Sequence, residues 1–112
     1  MYKRQSYGYL GEHAFAEAET LALADPLVLL EQGGAPDRPL PPFFAPVGTR
    51  DPLLDDTRRL RDAIERLGGV CDARFYKGGI HAFHAFVWDE LARACWKDQF
   101  EFLDRYVGPA AK

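Results

Sequence analysis

Three segments between residues 43 and 76 constrain this chain more than anything else in it. Phe43 to Val47 is a brief apolar run of the kind that forms a strand buried on both faces. Pro46 has no N–H for the ladder, so it belongs near the strand's end. Residues 55–67 carry Leu60, Ile64 and Leu67 at helical spacing, with Asp55 or Asp56 placed as N-cap and Gly68-Gly69 as the stop. In VCDARFY, residues 70–76, Cys71, Ala73 and Phe75 alternate with Asp72 and Arg74, which is a strand pattern. After the loop KGGIHAFHAF, residues 87–106 read as a terminal amphipathic helix. Two strands joined through a helix lie parallel with a right-handed crossover, and a parallel sheet is covered by helices on both faces. The expected class is α/β: a fragment of a larger sheet, with two parallel strands, a crossover helix and a terminal helix.

The remainder of the chain has weaker signals. Residues 1–10, MYKRQSYGYL, have no periodicity and read as a non-native or disordered leader. Residues 11–24 are rich in Ala, Glu and Leu and predict a helix with Phe15, Ala18, Leu21 and Ala22 on its apolar side. Asp25-Pro26 is expected to end it, because a residue before proline is pushed out of the α region. Residues 31–42 hold two glycines and four prolines and form a loop. The division expected is thus a leader over 1–10, a cap or connecting helical region over 11–39, and a strand-helix-strand-helix unit over 40–108.

Composition removes several function classes. At 112 residues and 47% hydrophobic side chains, the chain has the size of one domain with a modest core. Acids and bases are mixed along its length at a net charge of −3, so no basic stripe exists for phosphates and nucleic acid is not an expected partner. Its apolar runs fall far short of a membrane span, and the N-terminus lacks the order of a signal peptide. The expectation is a cytoplasmic protein with no membrane span. Cys71 and Cys95 have no CxxC spacing and read as buried free thiols.

In a parallel sheet, functional groups gather where strands end at their carboxyl edge, since the loops there converge on one crevice. Asp51 lies a few residues past the first strand and His81 a few past the second. A carboxylate meeting an imidazole there fixes its tautomer and stabilises the imidazolium. Two readings of Asp51 stand side by side: it orients His81, or it closes an Asx-turn before Pro52 while His81 is an ordinary loop residue.

The stretches LPPFFAPVGTRDPLLDD, TRRLRDAIERLGG and ARFYKGGIHAFHAF carry a more specific message. From about Leu40 to Tyr106 the chain resembles the C-terminal part of an α/β-hydrolase of the hormone-sensitive-lipase-like esterase family. That resemblance implies that Asp51, in Gly-Thr-Arg-Asp-Pro-Leu-Leu-Asp, is the triad acid, and that His81, after Tyr76 and the glycine-bearing turn, is the triad histidine. Ala82 departs from the glycine usual after that histidine. Residues 7–39 would fall where the family places helices covering the acyl pocket.

The same resemblance requires a Gly-x-Ser-x-Gly nucleophile elbow and a His-Gly-Gly-Gly type oxyanion loop. The sequence holds neither, and its single serine, Ser6, has no apolar strand before it. Cys71 lies in a strand and Cys95 in a helix, without the sharp turn or positive surroundings that activate a thiol. The chain is therefore expected to be a portion of a serine carboxylic-ester hydrolase that supplies acid and histidine and is inactive alone. Its implied partners are the missing N-terminal part of the domain and a small-molecule ester, and no cofactor is implied.

Other features admit plainer readings. His81 and His84 form a His-x-x-His with no third ligand at metal spacing, so no metal site is expected, and His84 reads as a pocket-rim or partly buried polar group. Gly78-Gly79 lacks a phosphate-loop context and reads as a tight turn. Phe43, Phe44, Phe83, Phe86, Trp88, Trp96, Phe100 and Phe102 are more aromatic surface than two strands can bury, which predicts an exposed apolar patch along the first strand and the helices. The alternative function is a noncatalytic α/β interaction module docking through that face.

Overall fold

A computed structural model describes residues 24–108 of the chain. Ser6, the leader and the helix expected over 11–24, Ala24 aside, lie outside the described residues. The element order is α1 (Pro26–Gln32), β1 (Phe43–Gly48), α2 (Leu54–Arg66), β2 (Cys71–Tyr76), a 3-10 turn (Phe83–Ala85) and α3 (Glu90–Val107). β1 and β2 pair in parallel, in register from Phe43 opposite Cys71 to Gly48 opposite Tyr76. This is the expected α/β unit.

Asp25-Pro26 starts a helix that the sequence reading does not anticipate, while the helix it is expected to end lies outside the described residues. The Asp25 carboxylate accepts from the Leu27 and Val28 amides, and Pro26 occupies the first turn, where its missing N–H costs nothing. Arg66 of α2 holds the far end of α1 by donating to the Leu30, Glu31 and Gly33 carbonyls, which the helix itself leaves without donors. Arg59 adds a two-pronged grip on Glu31. The expected loop over 31–42 therefore begins only after Gln32.

α2 differs from expectation at its start. Leu53 is the N-cap residue, and Asp55 and Asp56 lie in the first turn, paired with Arg58 and Arg59. Their charge still suits the positive end of the helix dipole. At the other end Gly68, at φ +80°, donates to the Glu65 carbonyl, and Gly69 donates to that of Ile64. That is a complete Schellman stop, and it turns the chain straight into β2. Ala63 and Ile64 form the buried stripe of α2. Ile64 has no exposed surface, a burial worth about 1.5–3 kcal/mol.

The two faces of the sheet receive different helices. Phe44 of β1 packs on Phe102 of α3, with ring centroids 5.4 Å apart. On the other face Arg58 and Arg61 of α2 lie over the Phe75 ring. Alternation in β2 holds, but it sorts differently from a simple apolar-in pattern. Phe75 is exposed under those guanidinium groups, whereas Tyr76 is buried on the α3 side with Phe83, Cys95 and Leu91. Asp72 and Arg74 share that side, joined by a bidentate ion pair.

β1 is not buried on both faces as expected: Phe43 to Pro46 are half-buried, and only Val47 and Gly48 are buried. Among the described residues it pairs with β2 alone. The Phe43 and Thr49 amides both donate toward β2, so by alternation the nitrogen of Pro46 faces the opposite edge. α3 begins at Glu90 rather than Val87, because residues 87–89 form a turn that ends with the Asp89 amide donating to the Phe86 carbonyl. No described helix is long and apolar enough to cross a membrane.

Candidate active site

Two loops leave the carboxyl edge of the sheet, residues 49–53 after β1 and residues 77–82 after β2. They are stitched together by the backbone. The Thr49 amide donates to the Tyr76 carbonyl, the Arg50 amide to the Gly79 carbonyl, and the Gly78 amide to the Thr49 hydroxyl. Close approach is possible because glycine stands on both sides of the seam, at the end of β1 and in the loop after β2: a Cβ on Gly48 would collide with the Gly79 carbonyl oxygen. Gly78 makes the turn itself, at φ +81°.

Asp51 and His81 meet across this seam. His81 Nδ1 lies 3.1 Å from Asp51 Oδ2 and 3.3 Å from Oδ1. A carboxylate only accepts, so the hydrogen belongs on Nδ1 and Nε2 is left as the basic nitrogen. Asp51 is held from its own loop as well, since Oδ1 accepts the Leu53 amide at 2.8 Å. Both readings of Asp51 are thus realised in geometry: it closes an Asx-turn and it faces His81. The Asp51 side chain is 8% exposed and that of His81 64% exposed. One partner is anchored and the other offers its free edge outward.

The pair lines a shallow pocket of about 250 Å3, together with Gly48, Thr57, Phe83 and His84. His84 sits at its rim, exposed, with its carbonyl accepting the Trp96 indole N–H at 2.9 Å. Across the His81 loop a second hollow of about 440 Å3 is walled by Ile80, Phe86, Trp88 and Leu91. Among the described residues no three metal-ligating side chains come together.

Both cysteines are free. Cys95 is buried and Cys71 half-buried, and burial pushes both thiols up from their ordinary value, away from the thiolate form. Tyr76 belongs to the stretch that leads to His81, but its partnership with Asp98 does not stand out in the sequence. The Tyr76 hydroxyl donates to Asp98 Oδ2 at 2.7 Å, across 22 positions, and no local pattern announces such a pair. Thr49 is likewise absent from the sequence expectations, although its place beside Gly48 in a turn was the available signal.

Ala82 has φ 57°, ψ 29°, in the left-handed region. Glycine would take this conformation without cost, which is the physical reason the position favours it.

No curated protein and no solved structure matches the chain. The profile of the alpha/beta hydrolase fold family matches residues 2–85, three quarters of the sequence, and spans both strands, α2 and the Asp51 and His81 loops. Parallel pairing, a crossover helix and an acid and a histidine brought together on one edge agree with that match, and the chain belongs to the α/β-hydrolase fold family, in the hormone-sensitive-lipase-like group.

Proposed function

We propose that this chain supplies the acid and the general base of a serine carboxylic-ester hydrolase. The observation that carries the reading is the approach of His81 Nδ1 to Asp51 Oδ2 at 3.1 Å, on loops that begin one crossover apart. Asp51 holds the Nδ1 hydrogen and stabilises the imidazolium. His81 Nε2 takes the proton of an attacking serine hydroxyl and returns it to the leaving alcohol oxygen. The half-open pocket and the outward edge of His81 leave space for that serine and for the ester. Because the sequence has no Gly-x-Ser-x-Gly, the nucleophile and the oxyanion donors come from a polypeptide region not contained in these 112 residues.

The test is hydrolysis of p-nitrophenyl esters by a hydrolase that joins this chain to an elbow and an oxyanion loop. Asp51→Asn is expected to lower kcat by about 10⁴ while the circular dichroism spectrum is unchanged. The 112-residue chain alone is expected to show no saturable turnover. A near-normal rate for Asp51→Asn in the joined enzyme would sink the assignment.

A further inference from the structure

We propose that Tyr76 and Asp98 are a positioning pair for His81, a role that rests on reading Asp51 and His81 as triad members. Tyr76 is the last residue of β2, and it secures the His81 loop at two points. Its carbonyl accepts the Gly79 amide at 3.0 Å, two residues before His81. Its ring packs on Phe83, two residues after His81, with centroids 5.1 Å apart. The same carbonyl accepts the Thr49 amide at 3.0 Å, two residues before Asp51. One side chain and one carbonyl therefore set the spacing of both loops.

What orients Tyr76 is α3. Its hydroxyl reaches Asp98 Oδ2 at 2.7 Å, and Cys95, one turn earlier on α3, packs against the ring. The charged surroundings hold Asp98 in place. Arg74 lies 3.9 Å from its carboxylate while gripping Asp72, and Arg105 approaches Asp72 from α3 at 3.9 Å. Burial and the Asp98 carboxylate push the Tyr76 hydroxyl above the ordinary phenol range, so it remains a donor to Asp98 even at alkaline pH where an exposed tyrosine ionises. A hydrogen bond to a charged acceptor is worth more than a neutral one, which suits an anchor on a loop whose histidine is largely in solvent.

The experiment is 15N–1H spectroscopy of the His81 imidazole in the full chain, with Asp51→Asn defining the signal of a histidine that has lost its carboxylate. Tyr76→Phe and Asp98→Ala are expected to move the His81 Nδ1 resonance toward the Asp51→Asn position, while Asp98→Asn, which keeps an acceptor oxygen but not its charge, moves it by a smaller fraction. Exchange of the Arg50 and Gly79 amides should quicken about tenfold or more in both damaging variants, tenfold being about 1.4 kcal/mol, with the Ile64 amide of α2 unchanged. Should Tyr76→Phe fail to fold, Asp98→Ala on the partly exposed flank of α3 still decides the matter. His81 at its wild-type position in the Tyr76 and Asp98 variants, or exchange that rises uniformly through α2, would overturn the positioning pair alone. An Asp51→Asn spectrum identical to wild type would instead overturn the Asp51–His81 pairing, and both proposals with it.

Discussion

Asp51 divides its two oxygens between local and distant partners. Oδ1 accepts the Leu53 amide and closes the Asx-turn, and Oδ2 lies closest to His81. The turn holds the carboxylate in one orientation before any histidine arrives, so little side-chain freedom is lost when the pair forms. His81 gains no such help from its own neighbours, and Ala82 makes its loop costlier. An alanine in the left-handed region loses about 1–2 kcal/mol relative to the right-handed one, and part of that is regained by glycine after its greater unfolded-state entropy is counted. Ala82→Gly is therefore expected to stabilise the chain by about 0.5–1 kcal/mol, seen as a higher denaturant midpoint at unchanged slope. A lower midpoint would mean that the Ala82 methyl group makes favourable contacts worth more than the backbone strain.

The seam between the β1 and β2 loops is where whole elements depend on single residues. Gly48→Ala would drive a methyl group into the Gly79 carbonyl, and neither backbone has a side chain that can swing away. The loops must part, breaking the Arg50 to Gly79 bond and drawing His81 from Asp51. A loss of about 1–3 kcal/mol is expected, with loss of the Asp51–His81 contact in an NMR structure even where the sheet survives. α3 brings a different sensitivity. The Tyr76 hydroxyl is raised first by burial and then by its bond to Asp98, and the Cys95 thiol is raised chiefly by burial. Both groups keep protons in the folded state that the unfolded chain releases near the ordinary values of 10.0 and 9.0. The unfolded state then binds fewer protons, so stability falls as pH rises. The stabilisation is complete below about pH 9 and declines progressively above it, as the unfolded chain releases protons that the folded chain keeps. Tyr76→Phe should remove the tyrosine share of that decline, measured as the difference in unfolding midpoint between about pH 8 and about pH 11.

At the scale of the molecule, the described residues expose more large apolar side chains than they bury. Trp88 is 71% exposed and Phe100 58% exposed, while the buried set is small and dominated by Ile64, Phe83, Cys95 and Phe102. The apolar patch expected from the aromatic count lies along α3 and the segment before it rather than along β1, whose phenylalanines are half-buried. An uncovered face of this kind drives association. The 112-residue chain is predicted to self-associate at micromolar concentration in analytical ultracentrifugation and to bind a hydrophobic dye. A compact monomer with a sharp cooperative melt would contradict this. Much of the architecture is legible in the residues because its causes are local: helical spacing in residues 55–67, a paired glycine stop, alternation in residues 70–76, and the parallel pairing those elements impose. Asp51 and His81 emerge from the same logic, since consecutive parallel strands deliver their following loops to one edge. The helix at Pro26–Gln32 is missed because Asp25-Pro26 reads equally as the end of a helix behind it and the start of one ahead, and the grip of Arg59 and Arg66 on Glu31, Leu30 and Gly33 that supports the second comes from α2. Interactions within a few residues are thus enough to specify β1, α2, β2 and α3, their order and the edge on which the acid and the histidine emerge. That Asp51 reaches His81, that Gly48 must yield to Gly79 and that Tyr76 finds Asp98 became visible only in the folded chain, because each joins residues 22 to 31 positions apart through contacts that have no period to read.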